Sequence, residues 1–167
     1  MVRIGIIGAA GLSGLELLHL LSRHSEATVK LVTSTKYQGK KVTEVFPELY
    51  QYSLTFNSNE TDVLGCDVVF LAVPNEASLA LVPKLLEQGI RVIDLSGAYR
   101  LADTKVFEKF YKLTHTYPEL LKEAVFGLPE FFSKQISAAK LVSNPGCYST
   151  CALLGILPLA EMLGELD

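Results

Sequence analysis

The chain of 167 residues carries 15 Lys+Arg against 18 Asp+Glu, a formal net charge of -3, and 49% hydrophobic residues at a mean hydropathy of +0.30. A chain of this size forms one globular domain and buries roughly 70% of its unfolded surface with no need of a disulfide or structural metal. The mild acidity, without a run of basic residues, excludes an electrostatic nucleic-acid binder and a polybasic membrane patch, but leaves room for a small anionic ligand.

Residues 2–7 are a β-branched run bounded by glycine, and after the segment 8–14 the pattern switches to a Leu-rich stretch over 15–21. The spacing predicts strand, tight turn and helix, the helix closing near Arg23 and His24, with a second strand over 28–32. Residues 34–59 are polar, aromatic and aperiodic, and predict a long loop with at most a short strand over 53–56. An apolar run over 67–73 stops at Pro74, an amphipathic helix over 76–88 closes at Gly89, and a strand over 91–95 follows. Beyond it, residues 99–140 are less regular, with helical pieces around 106–111 and 119–124, before a short strand over 140–143 and an apolar helix from about Cys147 to Met162. Near-continuous apolar strands alternating with helices predict an α/β fold, a doubly wound, Rossmann-like and mostly parallel sheet with helices on both faces.

The three cysteines, Cys66, Cys147 and Cys151, make no C-x-x-C pair and no even secretory set, which suits a reducing compartment. The N-terminal apolar run is too short and too glycine-broken for a signal sequence, and the final apolar stretch, with Pro158 and Glu161, falls short of the ~20 residues a bilayer span needs. A cytoplasmic protein that binds neither membrane nor nucleic acid is expected, with no metal site.

Gly8-Ala9-Ala10-Gly11-Leu12-Ser13-Gly14 directly follows the first strand and opens the first helix, where a dinucleotide fingerprint must sit. Glycines there allow a tight turn, approach of a pyrophosphate to the backbone, and close helix–strand packing, while the helix start offers N–H donors to the anion. The spacing is G-x-x-G-x-x-G, so a glycine-rich turn in a ligand-free α/β protein stays an alternative. At the end of the second strand, Thr33-Ser34-Thr35-Lys36 stands where NAD-specific folds carry an acidic residue. Without that carboxylate, Ser34 and Thr35 can donate to a 2′-phosphate and Lys36 can supply charge, which favours NADP; a solvated loop lysine is the alternative reading of Lys36. Gly8, Ala10, Gly11, Leu12, Ser13 and Gly14, with Ser34, Thr35 and Lys36, are the expected cofactor residues, joined by Pro74 and Ser96 after the third and fourth strands.

Ser143-Asn144-Pro145-Gly146-Cys147-Tyr148 joins the last strand to the apolar helix. Pro145 and Gly146 predict a type II turn, with positive φ at Gly146, that delivers Cys147 to the first turn of a helix at the sheet's carboxyl edge. A thiol beside a nicotinamide suggests attack on an acyl carbon followed by hydride transfer. A helix N-terminus gives a negative charge only ~0.3–1 kcal/mol, or up to ~2 in a favourable buried geometry, so a second activating group, most simply a histidine base, is expected. His19 and His24 fall on the first helix and read as structural, and His115 is the remaining candidate. Cys151, one turn further in, and Cys66 read as core. Arg100, after the strand over 91–95, can reach the same edge and grip a carboxylate or phosphate, or else form a surface ion pair.

Taken together, the Gly8–Gly14 loop, Asp94-Leu95-Ser96-Gly97-Ala98-Tyr99-Arg100, Phe126-Gly127-Leu128-Pro129-Glu130 and Asn144-Pro145-Gly146-Cys147-Tyr148 resemble the N-terminal part of the N-acetyl-γ-glutamyl-phosphate reductase family, in the aspartate-semialdehyde dehydrogenase superfamily. The resemblance implies Cys147 as a thioester-forming nucleophile, Arg100 and Asn144 as substrate contacts, NADPH as reductant, and an acyl phosphate as the small-molecule substrate in arginine biosynthesis. Sister semialdehyde dehydrogenases usually show Asn-Cys at the nucleophile, and Pro145-Gly146-Cys147-Tyr148 is similar to the acetylglutamyl branch. Ser149 replaces a common proline and Phe126 a common tyrosine. Family members are roughly twice this length, which implies a dinucleotide-binding domain over 1–146 and, over 147–167, a nucleophile-bearing helix that opens a catalytic and dimerisation domain. The general base would lie in that later half, the fragment alone would be inactive, and the full-length enzyme would be a homo-oligomer. An aspartate-semialdehyde dehydrogenase-like enzyme and a non-catalytic NADP-binding regulatory module are the competing readings.

Overall fold

The structure, a computed structural model, describes residues 1–163. Among these, six strands form one sheet: β1 (Val2–Ile7), β2 (Ala27–Val32), β3 (Val68–Leu71), β4 (Arg91–Asp94), β5 (Val125–Phe126) and β6 (Leu141–Ser143). Their order is β2-β1-β3-β4-β6-β5, and every pairing is parallel. The helices are α1 (Leu12–Leu21), α2 (Val42–Val45), α3 (Asn75–Glu87), α4 (Thr104–Tyr111), α5 (Leu120–Glu123), α6 (Pro129–Ala138) and α7 (Cys147–Leu163).

Side chains alternate across a strand, and here the alternation divides the core in two. Ile4 and Ile6 of β1, with Val68 and Phe70 of β3, pack with Leu18 of α1 on one face. Val69 and Leu71 of β3 pack with Leu79, Val82 and Leu85 of α3 and Phe107 of α4 on the other. The expected doubly wound architecture is therefore present, with helices on both faces. The strand order reverses between β1 and β3, and in such sheets the crevice at that reversal takes the ligand.

Two regions differ from expectation. Residues 34–59 are a packed excursion in which α2, a 3-10 turn at Pro47–Leu49, and the buried Val42, Leu49, Tyr52 and Phe56 close over the β1–β2 face. The short strand expected over 53–56 is reduced to two isolated bridges, Lys41 with Thr55 and Thr33 with Asn57. A four-residue helix is too short to show periodicity, which is why packing alone reveals it. The expected irregular stretch contains β5 and α6, whose ten residues are kinked at Phe132. α1 begins at Leu12 and ends at Leu21, so His24 lies beyond it.

Candidate active site

Gly8 leaves β1 at φ +84, and a side chain there would run into the carbonyl of Ala72 after β3. A Cβ on Gly14 would lie 2.6 Å from both Ala9 Cα and the Gly8 carbonyl oxygen. These two glycines are required by the protein's own packing. Gly11 is different, because a Cβ there would meet nothing nearer than the Gly8 oxygen at 3.5 Å. Its openness is useful only to a group approaching the loop from outside. The N–H groups of Leu12, Ser13 and Gly14 have no partner among the described residues, and Leu12 is 92% exposed. A helix start with free donors, glycine-lined and open, fits the pyrophosphate of a dinucleotide.

The turn is tied to the end of β2 by a residue that sequence reasoning passed over. Thr33 Oγ1 accepts from the Gly8 N–H at 3.1 Å and donates to Asn59 Oδ1 at 2.5 Å, and the Asn59 amide donates to Thr35 Oγ1 at 3.2 Å. Asn59 sits in an aperiodic loop, so only the fold could reveal it. Ser34 is 5% exposed and its hydroxyl accepts from the Tyr37 N–H, whereas Thr35 and Lys36 are exposed, the Lys36 Nζ lying 5.0 Å above the Tyr37 ring. The groups open to a ribose or its phosphate at this edge are therefore Thr35 and Lys36, and residues 33–36 contain no carboxylate.

Pro74 occupies the cap position before α3 and follows β3 at the same edge. Ser96 is spent internally: its N–H and hydroxyl donate to the Asp94 carboxylate at 3.0 and 2.8 Å, and its Oγ accepts from the Ala98 N–H. Burial pushes the Asp94 carboxyl up, opposed by these bonds. Asn75 Oδ1 accepts from the Gly97 N–H at 2.7 Å and joins this loop to α3.

β4 and β6 are neighbours, with Asp94 opposite Ser143, so the loops after both strands start side by side. Arg100 crosses between them, its Nε donating to the Asn144 carbonyl at 2.8 Å and its Nη2 to the Leu95 carbonyl at 2.7 Å. Among the described residues it forms no ion pair. Gly146 does not adopt the positive φ that the expected type II turn requires; instead a Cβ there would sit 3.2 Å from Arg100 Nη1, so the guanidinium is what demands a small residue. The Asn144 N–H donates to the Asp94 carbonyl, and its side-chain amide donates to the Pro145 carbonyl at 3.1 Å.

Cys147 opens α7 and is exposed. The Gly146 carbonyl accepts from the Thr150 N–H and from the hydroxyls of Ser149 and Thr150, while the N–H groups of Cys147, Tyr148 and Ser149 have no partner among the described residues. A cleft of about 640 Å³ is lined by Ser13, Leu95, Arg100, Asn144, Pro145, Gly146, Cys147, Thr150 and Cys151. Ser13 belongs to the glycine loop, so the loop and the thiol share one cleft although β1 and β6 stand three strand spacings, roughly 14 Å, apart. Cys151, expected in the core, is exposed in this cleft, because no other element among the described residues covers this turn of α7; Cys66 is buried as expected.

None of the three histidines lines the cleft. His115 is buried against Tyr99 and Phe107, with Nε2 on the Ala98 carbonyl and Nδ1 accepting from the Tyr117 N–H. Burial lowers its pKa, and with both nitrogens occupied it serves as a neutral structural residue. Among the described residues no group of His, Cys, Asp or Glu could hold a metal ion, and no helix is long and apolar enough to cross a membrane.

A protein-family model described as semialdehyde dehydrogenase, NAD binding domain, matches residues 3–139. Curated relatives named N-acetyl-gamma-glutamyl-phosphate reductase include that of Nitrosospira multiformis, 45% identical over 163 residues, covering 96% of this chain and 48% of the relative. Another, from Leptospira borgpetersenii, is 48% identical over 163 residues, covering 97% and 48%. Among solved structures, aspartate semialdehyde dehydrogenase with NADP from Candida albicans superposes at a TM-score of 0.71 and 22% identity, over 100% of this chain and 49% of that one, a likeness of fold. The chain thus spans about half the length of the curated relatives it matches.

Proposed function

The chain belongs to the semialdehyde dehydrogenase NAD-binding-domain family, and from that premise we propose that it is the nucleotide-binding, nucleophile-bearing part of an NADPH-dependent N-acetyl-γ-glutamyl-phosphate reductase. The observation that carries this reading is the shared cleft: Ser13 of an open anion-binding helix start and Cys147 of a second one line the same space. A curated relative bearing that enzyme's name is 45% identical over 96% of the chain.

In this reading Gly11, Leu12, Ser13 and Gly14 hold the pyrophosphate, Pro74 and Ser96 flank its path along the edge, and Thr35 and Lys36 contact the 2′-phosphate. Cys147 Sγ attacks the acyl carbon, the bond from that carbon to the phosphate oxygen breaks, and phosphate leaves as the thioester forms. The free N–H groups at the start of α7 face the negative charge that develops on the acyl oxygen. NADPH, when bound, would supply the hydride to the acyl carbon, and breakage of the C–S bond then releases the semialdehyde and returns Cys147 as a thiolate. Leu95 and Pro145 supply apolar surface to the cleft wall beside Cys147. Arg100 holds the Asn144 carbonyl, and with it the angle at which Cys147 enters the helix, while its Nη1 and the Asn144 amide border the substrate space. With His115 sequestered, the general base comes from outside residues 1–163, so this chain alone turns over at least ~10²-fold more slowly than the longer enzyme. The substrate is a small acyl phosphate, and the longer enzyme is a cytoplasmic homo-oligomer.

The test is NADPH oxidation driven by N-acetyl-γ-glutamyl phosphate in the longer protein that carries this chain. Cys147→Ala abolishes it and leaves the NADPH dissociation constant nearly unchanged; a variant that keeps a measurable rate of reduction overturns the assignment.

A further inference from the structure

Cys147 and Cys151 stand one helical turn apart on α7, both exposed and both in the wall of the same cleft, while Cys66 is buried elsewhere. Helix geometry puts Cα atoms four residues apart at about 6 Å and their Cβ atoms at about 5–6 Å. The first distance lies within the range that disulfides span, about 4.4–6.8 Å; the second must close by about 1–2 Å to reach about 3.5–4.5 Å. The intervening turn can supply that movement. It is the first turn of its helix, its leading N–H groups are unpartnered, Tyr148 is 90% exposed, and apart from the helix's own backbone ladder it is held by the Gly146 carbonyl, which accepts from the Thr150 N–H and the Ser149 and Thr150 hydroxyls. No packed core has to be broken.

We infer that Cys151 is a resolving thiol that captures Cys147 after oxidation by a peroxide and stores the nucleophile as a reversible intrahelical disulfide. In the first step the exposed Cys147 sulfur, as its thiolate, attacks one peroxide oxygen; the O–O bond breaks and hydroxide leaves, taking up a proton as water. Cys147 becomes a sulfenic acid, oxidised by two electrons as the peroxide is reduced by two. In the second step the Cys151 sulfur attacks the Cys147 sulfur; the S–O bond breaks and hydroxide leaves as water with the proton given up by Cys151. The product is strained by the Cβ movement and exposed, which makes it readily reducible by cellular thiols. Without Cys151, the sulfenic acid advances to the sulfinic acid, which thiols do not reverse. This inference needs only the two thiols and their cleft, and stands apart from the reaction proposed above.

The experiment treats the fully reduced chain with a small molar excess of hydrogen peroxide, alkylates the remaining thiols, cleaves after Lys and Arg, and weighs the fragments. Cys147 and Cys151 share fragment 141–167, and Cys66 lies on fragment 42–84. The expected result is fragment 141–167 lighter by two hydrogens, unalkylated, and restored to two alkylatable thiols by dithiothreitol, while fragment 42–84 is alkylated throughout. In Cys151→Ser, and likewise in Cys151→Ala, the reductant-recoverable share of Cys147 falls several-fold and its sulfinic form accumulates. A wild-type chain in which Cys147 reaches the sulfinic acid while Cys151 stays alkylatable overturns the inference, as does a disulfide between chains or a variant that recovers as fully as wild type. The mass of the wild-type fragment decides the matter even if both variants fail to fold.

Discussion

The glycine loop after β1 and the Asn144–Cys147 segment after β6 do comparable work, each bringing a helix start to the carboxyl edge of the sheet, but they are held in different ways. The first is fixed by its own backbone: Gly8 turns at φ +84 and Gly14 lies against Ala9 and the Gly8 carbonyl, leaving no room for a side chain at either. The second is fixed from a distance by Arg100, a side chain 44 positions earlier whose guanidinium ties Asn144 to Leu95 and lies over Gly146. A backbone-packed loop is rigid and intolerant. A segment braced by one side chain can be loosened without unfolding the domain.

That contrast can be broken most forcefully at Gly14. Gly14→Ala forces a Cβ into backbone at 2.6 Å, and overpacking of this kind costs about 1–3 kcal/mol or more, so urea unfolding should show a lowered midpoint together with lost nucleotide binding. Gly11→Ala, with open space at that position, should leave the unfolding free energy within about 0.5 kcal/mol of wild type and still weaken dinucleotide binding.

At the ribose end, Thr35→Asp puts a carboxylate on an exposed position beside the Asn59 amide and Lys36. Losing one charge-assisted contact is worth ~1.5–3 kcal/mol, so NADP affinity measured by titration calorimetry should fall roughly 10- to 150-fold while NAD affinity changes little. Arg100→Lys sharpens the other side of the comparison. A lysine cannot reproduce the fork that spans two carbonyls, and acyl-phosphate reduction by the longer enzyme should drop by about 10-fold with nucleotide affinity and unfolding midpoint nearly unmoved.

The smallest effect lies away from both loops. Arg3 donates to Asp67 from its N–H and Nε at 2.8 and 3.1 Å and from Nη2 at 2.6 Å, the one ion pair among the described residues. These bonds hold the Asp67 carboxyl down to about 2, from an ordinary 3.8. A carboxyl lowered in the folded state adds stability above its unfolded value, and that contribution is lost as pH falls from about 4 towards 2. Asp67→Asn should therefore flatten the acid limb of a thermal-melt profile only in that window, and modestly, since both groups are exposed.

The sequence by itself determined the parts whose physics is local. A β-branched run, a glycine-spaced turn and a leucine-rich helix define β1, the loop and α1 within about 20 residues, and the absence of a carboxylate over 33–36 is readable without any fold. The position of Cys147 at a helix start was likewise legible from the strand before it and the apolar run after it. Only the tertiary structure decided what depends on contacts between distant segments. Thr33 and Asn59 became the brace of the glycine loop because β2 and the packed 34–59 excursion meet there; His115 ceased to be a candidate base because both its nitrogens were taken by backbone groups. Gly146 proved to be small for the sake of Arg100, and Cys151 was left in the cleft because nothing among the described residues covers that turn of α7. Periodicity and spacing record which face of an element is apolar, but the partner that meets a polar group is chosen by the path of the whole chain, and that choice separates a reacting group from a structural one.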